Sequence, residues 1–374
     1  MNRRELLIGA GYGIGALGLA SCSAVPNVIQ SKQSRYRHYH PVKASMQRVT
    51  YSIVGLRPFR PQGYRLEAER LGNKTVVHNY GHGGGGISLS WGTSIVAAQL
   101  ASKPLSRDIA VIGSGVMGIT TALLLAQQGF SVTIYAEDFP PNTTSDIAAA
   151  VWLPSSYFDR EIVSDKFLAQ DKHIIRGAFS RFLTYINRPK YGVYWHNYHL
   201  LLPEIRHFKR PLPGGNDLYP ELATSTEDNL FGYTFQSYMK ALLIDPMLYL
   251  PALLQDAQLA GAQLKQTTFN NRDEVLALKE KVIVNCTGLG ASKLFDDTSM
   301  YPIQGQMTHL LPQPEINYSY VVPTSEGYLY MFPRKGSIVL GGTAVKHAYG
   351  ITPDEKLTRD LVTGHANLAT KLHL

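Results

Sequence analysis

The stretch Gly113-Ser-Gly-Val-Met-Gly118 constrains this chain more than any other. It follows an apolar run, Ile109-Ala-Val-Ile112, that predicts a buried strand. It opens a segment from Ile119 to Gln128 that predicts a helix, with Gly129 just past its end. Ser131-Val-Thr-Ile-Tyr135 predicts a second strand, with Glu137 and Asp138 beyond its last residue. In such a unit Gly113 permits the tight turn and Gly115 lets a pyrophosphate approach the backbone, while Gly118 brings helix against strand. The helix start, at Val116 and Met117, then faces phosphate with unpaired N–H groups. Glu137, 19 residues beyond Gly118, is placed to bind ribose hydroxyls. The unit predicts a Rossmann-like dinucleotide site, and by itself it does not choose between NAD and FAD.

A second glycine-rich stretch poses a question of order. Asn79-Tyr-Gly-His-Gly-Gly-Gly-Gly-Ile-Ser-Leu-Ser-Trp-Gly92 has the makings of a turn that opens a helix beside a cofactor, yet it precedes the strand at Ile109. Glycines 83–86 are poor helix formers but let the backbone touch a flat ring. A helix starting there would aim its N–H groups and positive dipole end at that ring. A flexible surface loop would not explain the apolar Ile87, Leu89 and Trp91 that follow.

The chain carries 36 basic and 28 acidic side chains, a formal charge of +8. Seven basic residues and one acid lie between Met1 and Arg48, which leaves +2 for the rest. The basic character therefore belongs to an N-terminal arm, and no recognition-helix or zinc-finger pattern points to nucleic acid. Two cysteines, Cys22 and Cys286, make neither a disulfide framework nor a metal cluster. The arm itself reads as an address. Arg3-Arg4 precede an apolar run, Leu6 to Ala20, that is too short to span a bilayer but suits an export signal of the twin-arginine kind. Leu19-Ala-Ser-Cys22 is similar to a lipobox, so residues 1–22 predict a signal peptide and a lipid anchor at Cys22, on the outer side of a bacterial cytoplasmic membrane. Residues 23–46 predict a basic flexible tether whose charges would assist a single lipid chain at an anionic surface.

The stretch after Glu137 bears on the choice of cofactor. Pro141-Asn-Thr-Thr-Ser-Asp-Ile-Ala-Ala-Ala-Val-Trp152 offers the adjacent hydroxyls of Thr143, Thr144 and Ser145 for phosphate, then the small Ala150 and Val151 for close approach of a ring. Here the sequence resembles the D-amino-acid oxidase family of flavoproteins. Tyr135-Ala-Glu-Asp-Phe139, Thr143-Thr-Ser-Asp146 and Ala148-Ala-Ala-Val-Trp152 are similar to that family's YAD-x-F, TTTD and AAGLW, in that order. Val282-Ile-Val-Asn-Cys-Thr-Gly288 and Tyr330-Met-Phe-Pro333 with Leu340-Gly-Gly342 continue the likeness. The resemblance implies FAD.

Val54-Gly-Leu-Arg-Pro-Phe-Arg-Pro61 and His78–Gly86 are similar to the family's TGFRPVRP and HNYGHGGYG. Those motifs lie near the C-terminus of its usual members, whereas here they precede the nucleotide-binding strand. The chain therefore reads as a circular permutant, its helix at Thr93–Ala101 running through Ser102–Arg107 into the strand at Ile109.

By the resemblance, Arg57 anchors a substrate carboxylate, Tyr330 reaches the same group with its hydroxyl, and the Gly84 carbonyl meets the substrate amine. Gly83, Gly85, Gly86, Ile87 and Ser88 would hold the flavin's pyrimidine edge. His78 and His82 read as structural histidines of that loop. The implied reaction is oxidation of D-amino acids to imino acids, with oxygen or a quinone as electron acceptor; an inactive envelope lipoprotein of flavin fold is the reading from another class.

The fold expected is α/β, a Rossmann-like FAD-binding domain (63–157 and 236–296) interleaved with a mixed-sheet substrate domain (47–62, 158–235 and 297–374). Phe167–Tyr185 predicts a helix and Tyr191–His196 a strand. Tyr198, His199 and the basic Arg206–Arg210 are expected on a solvated face.

Overall fold

A computed structural model describes residues 39–149, 151–202, 212–226, 230–233, 235–324 and 327–372. The proposed signal peptide, Cys22, most of the tether, Ala150 and Arg206–Arg210 lie outside the described residues.

The chain enters by a long strand, β1 (Val49–Phe59), and an antiparallel pair, β2 (Arg65–Leu71) and β3 (Lys74–Tyr80). Helix α1 (Gly86–Ala101) leads to β4 (Asp108–Ile112), α2 (Val116–Gln127) and β5 (Ser131–Ala136). An excursion follows through α3 (Asp165–Leu183), β6 (Val193–Leu202), β7 (Ala223–Ser225) and β8 (Phe235–Ile244). The chain then runs through α4 (Pro246–Leu259), β9 (Gln263–Gln266), α5 (Arg272–Leu276), β10 (Val282–Asn285) and α6 (Ala291–Leu294). It closes with β11 (Tyr301–Leu310), β12 (Tyr318–Thr324), β13 (Gly327–Pro333), β14 (Ile338–Gly341), β15 (Val345–Lys346) and α7 (Glu355–Ala369).

Among the described residues these strands form two sheets. The six-stranded one runs β2-β3-β10-β4-β5-β9 and is parallel from β3 to β9. Its central strands read as near-continuous apolar runs because helices and loops cover both faces. Helix α1 has no polar stripe and is buried nearly all round. It lies between the sheet and α3, and a Cβ at Gly92 would sit 2.1 Å from the carbonyl oxygen of Ile174 on α3. The nine-stranded sheet runs β1-β11-β14-β13-β12-β6-β8-β7, with β15 beside β11. It is antiparallel except where β6 meets β12.

Two expectations need correction. The described part of the tether, from Tyr39 to Met46, is docked on the fold. The Tyr39 ring stacks on Tyr318 at 4.3 Å, Val42 is buried, and the Lys43 N–H donates to Gln313 Oε1 at 2.8 Å. Two apolar side chains in a basic stretch suffice to dock it. The FAD-domain segment expected from 236 also takes in most of β8, yet β8 pairs with β6 along its whole length in the nine-stranded sheet. The return to the six-stranded sheet begins at Asp245, which caps α4 by accepting from the Met247 N–H. The first and last described segments lie on one core: Tyr39 and Val42 share an apolar cluster with Leu368 and Leu372 at the end of α7.

Candidate active site

Parallel strands β3, β10, β4 and β5 all end at one edge of their sheet, and that edge brings the two glycine turns together. The glycine turn after β3 and the one after β4 come from strands separated only by β10, hence about 10 Å apart. A single cavity of about 1050 Å³ runs along this edge and under the facing sheet. In an open α/β sheet, this is where ligands bind.

The cavity floor is backbone. Gly113 has φ of +103°, and a Cβ there would fall 2.6 Å from the Cys286 carbonyl oxygen. At Gly118 a Cβ would fall 1.9 Å from the Gly113 carbonyl oxygen, so α2 presses directly on the turn. Gly113, Gly115, Val116 and Met117 line the cavity, whereas Gly118 lies behind it in the helix–turn contact. The Val116 N–H donates to Ser145 Oγ at 3.0 Å, which ties the helix start to the hydroxyl turn. Asp146 builds that turn by accepting from both the N–H and the hydroxyl of Thr143, at 2.8 and 2.7 Å. Thr143, Thr144 and Ser145 line the cavity, as do Glu137, Asp138 and Val151. The turn after β3 contributes Gly83, Gly84, Gly86, Ile87 and Ser88.

Gly85 departs from its expected place. It is buried and does not line the cavity, and a Cβ there would meet the Tyr157 ring at 2.9 Å and Leu89 at 3.1 Å. The turn winds as a 3-10 helix over Gly83–Gly85 before α1 begins, which points Gly85 into the core. The Gly84 N–H is likewise taken up by the Ser156 carbonyl, at 2.8 Å.

The cavity roof is the nine-stranded sheet. Arg57 on β1 lies flat over Gly305 of β11, where a Cβ would be 2.5 Å from both terminal guanidinium nitrogens. It donates to the Thr343 carbonyl at 3.3 Å, and among the described residues no carboxylate pairs with it. Tyr330 on β13 covers Gly341 in the same manner. Among the described residues its buried hydroxyl has no hydrogen-bond partner. Burial raises its pKa, against a smaller lowering by the nearby Arg57.

The rest of the roof was not visible as a motif. Tyr198, Leu200 and Leu202 on β6, with Val321, Phe332 and Met307, face the cavity. The expectation that Tyr198 and His199 lie on a solvated face is thus overturned: they are 2 % and 0 % exposed. Strand β6 is covered on both faces, with Tyr198 and Leu200 toward the cavity and His199 beside Tyr39, its Nε2 3.1 Å from the Tyr39 hydroxyl. The run Tyr-His-Leu-Leu-Leu lacks the alternation of a one-sided strand.

His78 and His82 sit in the loop as buried, engaged rings. His78 contacts Glu69 and Asn285, and His82 has its Nε2 3.1 Å from Thr93 Oγ1 and stacks on Tyr64. Burial pushes the His82 pKa down to about 3, so the ring is neutral at neutral pH.

A dinucleotide with a flat ring fits what is present. The turn after β4 brings the backbone of Gly113, Ser114 and Gly115 to the cavity, and Asn79 Oδ1 is a buried acceptor there with no donor among the described residues. A cofactor hydroxyl is the kind of donor it needs.

Residues 108–371 match the DAO family, described as FAD dependent oxidoreductase. The chain is 28 % identical over 262 residues to a D-amino-acid oxidase of Dictyostelium discoideum, covering 68 % of this chain and 71 % of that one. It is 27 % identical over 273 residues to a human D-aspartate oxidase, covering 71 % and 76 %. In fold it is similar to glycine oxidase from Geobacillus kaustophilus, with a TM-score of 0.54 at 17 % identity over 69 % of this chain and 77 % of that one. With a backbone cradle that fits the cofactor and a family match over most of its length, the chain belongs to the DAO family of FAD-dependent oxidoreductases.

Proposed function

We propose that this enzyme oxidises D-amino acids to imino acids, which water converts to 2-oxo acids and ammonia. The observation that carries the reading is Arg57, a cation with no acidic partner among the described residues, beside the Tyr330 hydroxyl, which has no hydrogen-bond partner among them, in the FAD cavity. A guanidinium grips a carboxylate with two parallel charge-assisted bonds, and the phenol adds a third donor. Both side chains lie over glycines, so they are held flat against the roof and need little reordering to bind.

FAD, when bound, accepts the hydride from the substrate Cα. Its diphosphate would rest on the Gly113–Met117 turn with the hydroxyls of Thr143, Thr144 and Ser145, its ribose at Glu137, and its pyrimidine edge at Gly86, Ile87 and Ser88. The Gly84 carbonyl is the acceptor for the substrate amine. No protein base is needed once that amine is neutral, and His82, with its depressed pKa, is a poor one. The wall of Leu200, Leu202, Val321 and Phe332 excludes water and favours substrates with apolar or small side chains. Lys346 is the other cation lining the cavity, and it is exposed at the rim. A dicarboxylic D-amino acid would leave its second charge against the apolar wall.

We read oxygen as the acceptor, the chain as exported and lipid-anchored through Cys22, and its order as a circular permutation. The permuted reading draws support from the family match, which begins at Asp108, on the first residue of β4. It draws further support from the shared cluster of Tyr39, Val42, Leu368 and Leu372, since the new ends of a permutant were one continuous segment before the cut and must lie near each other.

A visible spectrum of the purified protein, followed by anaerobic addition of paired D- and L-amino acids, tests the central claim. Bleaching by D-alanine and D-leucine but not their mirror images is the expected result, and bleaching by no D-amino acid refutes it. Peroxide formed in air, against dye reduction under nitrogen, separates oxygen from quinone.

A further inference from the structure

Arg334 is a charge that the site as described does not use. It follows β13, whose alternate residues Tyr328, Tyr330 and Phe332 face the cavity, and it continues that face at the turn into β14. The side chain is buried, forms no ion pair among the described residues, and leaves its Nε without a partner. Its Nη2 donates to the carbonyl oxygen of Ala148 and, at 3.4 Å, to that of Ala149. Burial of an arginine whose guanidinium rests on carbonyls, with only the more remote Asp245 carboxylate to offset its charge, is costly, and the cost calls for a reason.

The reason lies in the peptide plane. Ala148 and Ala149 line the cavity, whereas Arg334 stands outside it. The Ala148–Ala149 bond is trans, so its N–H points opposite to its C=O. A carbonyl of Ala148 turned to Arg334 therefore turns the Ala149 N–H away from Arg334, on a residue that lines the cavity while Arg334 does not. The flanking chain is fixed from three other sides. The Trp152 N–H donates to the Leu242 carbonyl at 2.7 Å, and the Trp152 ring N–H donates to the Ser88 carbonyl at 3.0 Å. Ile147 packs on Gly55, where a Cβ would be 3.1 Å away. A cation on the carbonyl also polarises the peptide and makes its N–H a stronger donor.

We propose that Arg334 is a positioning residue for the flavin: through the Ala148 and Ala149 carbonyls it orients and polarises the Ala149 N–H toward the ring, and so raises the flavin's readiness to accept electrons. The inference rests on FAD binding and not on the identity of the substrate. Stabilising negative charge on the reduced ring in this way is preorganised electrostatics, set by a group that never touches the ring.

The test compares R334K, R334Q and R334M by FAD affinity of the apoprotein, from fluorescence titration, and by midpoint potential of the bound flavin, from equilibration with a reference dye. R334K keeps a cation on the carbonyls and is expected near the parent in both. R334M is expected to bind FAD about tenfold more weakly, the loss of one charge-assisted bond, with a more negative potential. R334Q keeps a donor without the charge, so its potential should fall with R334M while its affinity stays closer to the parent. If R334M does not fold, R334Q against R334K decides the matter. A parental potential in R334Q or R334M overturns the proposal, even if the apoprotein melts earlier, because an arginine with a purely structural role would do just that.

Discussion

The two walls of the cavity are made of different material. The floor, at the edge of the six-stranded sheet, is backbone: glycines at 83, 84, 86, 113 and 115 bring main-chain atoms to the cavity. The roof, the nine-stranded sheet, is side chain: Arg57, Tyr330 and an apolar set from β6, β11, β12 and β13. Backbone recognition serves a ligand common to a family, because a peptide group offers the same donors whatever the residue. Side chains can be exchanged one at a time, so substrate choice belongs on the roof. It follows that damage to the floor should remove the cofactor, while damage to the roof should leave it bound and idle.

Gly118→Ala is the largest effect expected. Its methyl group would lie 1.9 Å from the Gly113 carbonyl oxygen, a contact that only movement of α2 or of the turn can relieve. The protein should be recovered without flavin absorbance, or not in soluble form at all. Soluble, yellow G118A with parental flavin content would remove the claim that the floor tolerates no side chain there.

Arg57→Ala comes next and should separate the walls most clearly. Loss of a charge-assisted anchor costs about 2–5 kcal/mol, so kcat/KM for D-alanine should fall roughly 30- to 5000-fold. The flavin spectrum and FAD content should stay as they were, since Arg57 bonds to Thr343 and touches none of the phosphate turn. Flavin loss alongside activity loss would mean that the two walls are not independent.

The same division governs what the sequence makes legible. The floor depends on local order, strand to turn to helix, so each part is written within a few tens of residues and the apolar runs mark it directly. Even the presence of two separate glycine turns is readable, because each turn carries its own strand and helix. Gly85 escaped that reading because the phase of a 3-10 turn decides which of four adjacent glycines faces the ring. The roof depends on pairings remote in the chain: β1 beside β11, β6 beside β12. No local pattern tells which face of β6 meets the cavity, and a strand covered on both faces loses the alternation that would reveal it. Arg57 and Tyr330 were reached through family likeness, whereas Tyr198 and Arg334, with no motif to mark them, needed the fold.

Acid should act unequally on the two walls. Burial holds the pKa of His199, His309 and His365 down to about 3 and that of His196 to about 4, and all four pack on or within the nine-stranded sheet. Each folded value lies below the ordinary 6.5, so the unfolded chain binds more protons between those limits. Their stabilising contribution is complete above pH 6.5 and is lost as pH falls from there toward 3. Each imidazole withdraws up to about 1.4 kcal/mol per pH unit. Urea midpoints of the apoprotein should therefore drop between pH 7.5 and 5, and amide exchange at pH 5 should open the nine-stranded sheet before the six-stranded one. Two buried histidines, His78 and His82, oppose this by sitting on the floor. Opening in the reverse order would break the contrast.

Tyr330→Phe is the smallest change and the finest probe of the roof. The hydroxyl is buried with no partner, so without substrate it is a desolvated group that returns nothing. Removing it should leave the apoprotein as stable as before or slightly more so, by up to about 1 kcal/mol in a urea titration. In the enzyme at work the sign reverses, because the same oxygen would donate to the substrate carboxylate beside Arg57. Loss of one such donor should raise KM for D-alanine up to about tenfold, with a smaller change in kcat. The two measurements must move in opposite directions if the roof is built for a ligand rather than for itself. A phenylalanine that destabilises the apoprotein and leaves KM alone would make Tyr330 an ordinary core residue and leave Arg57 to hold the substrate unaided.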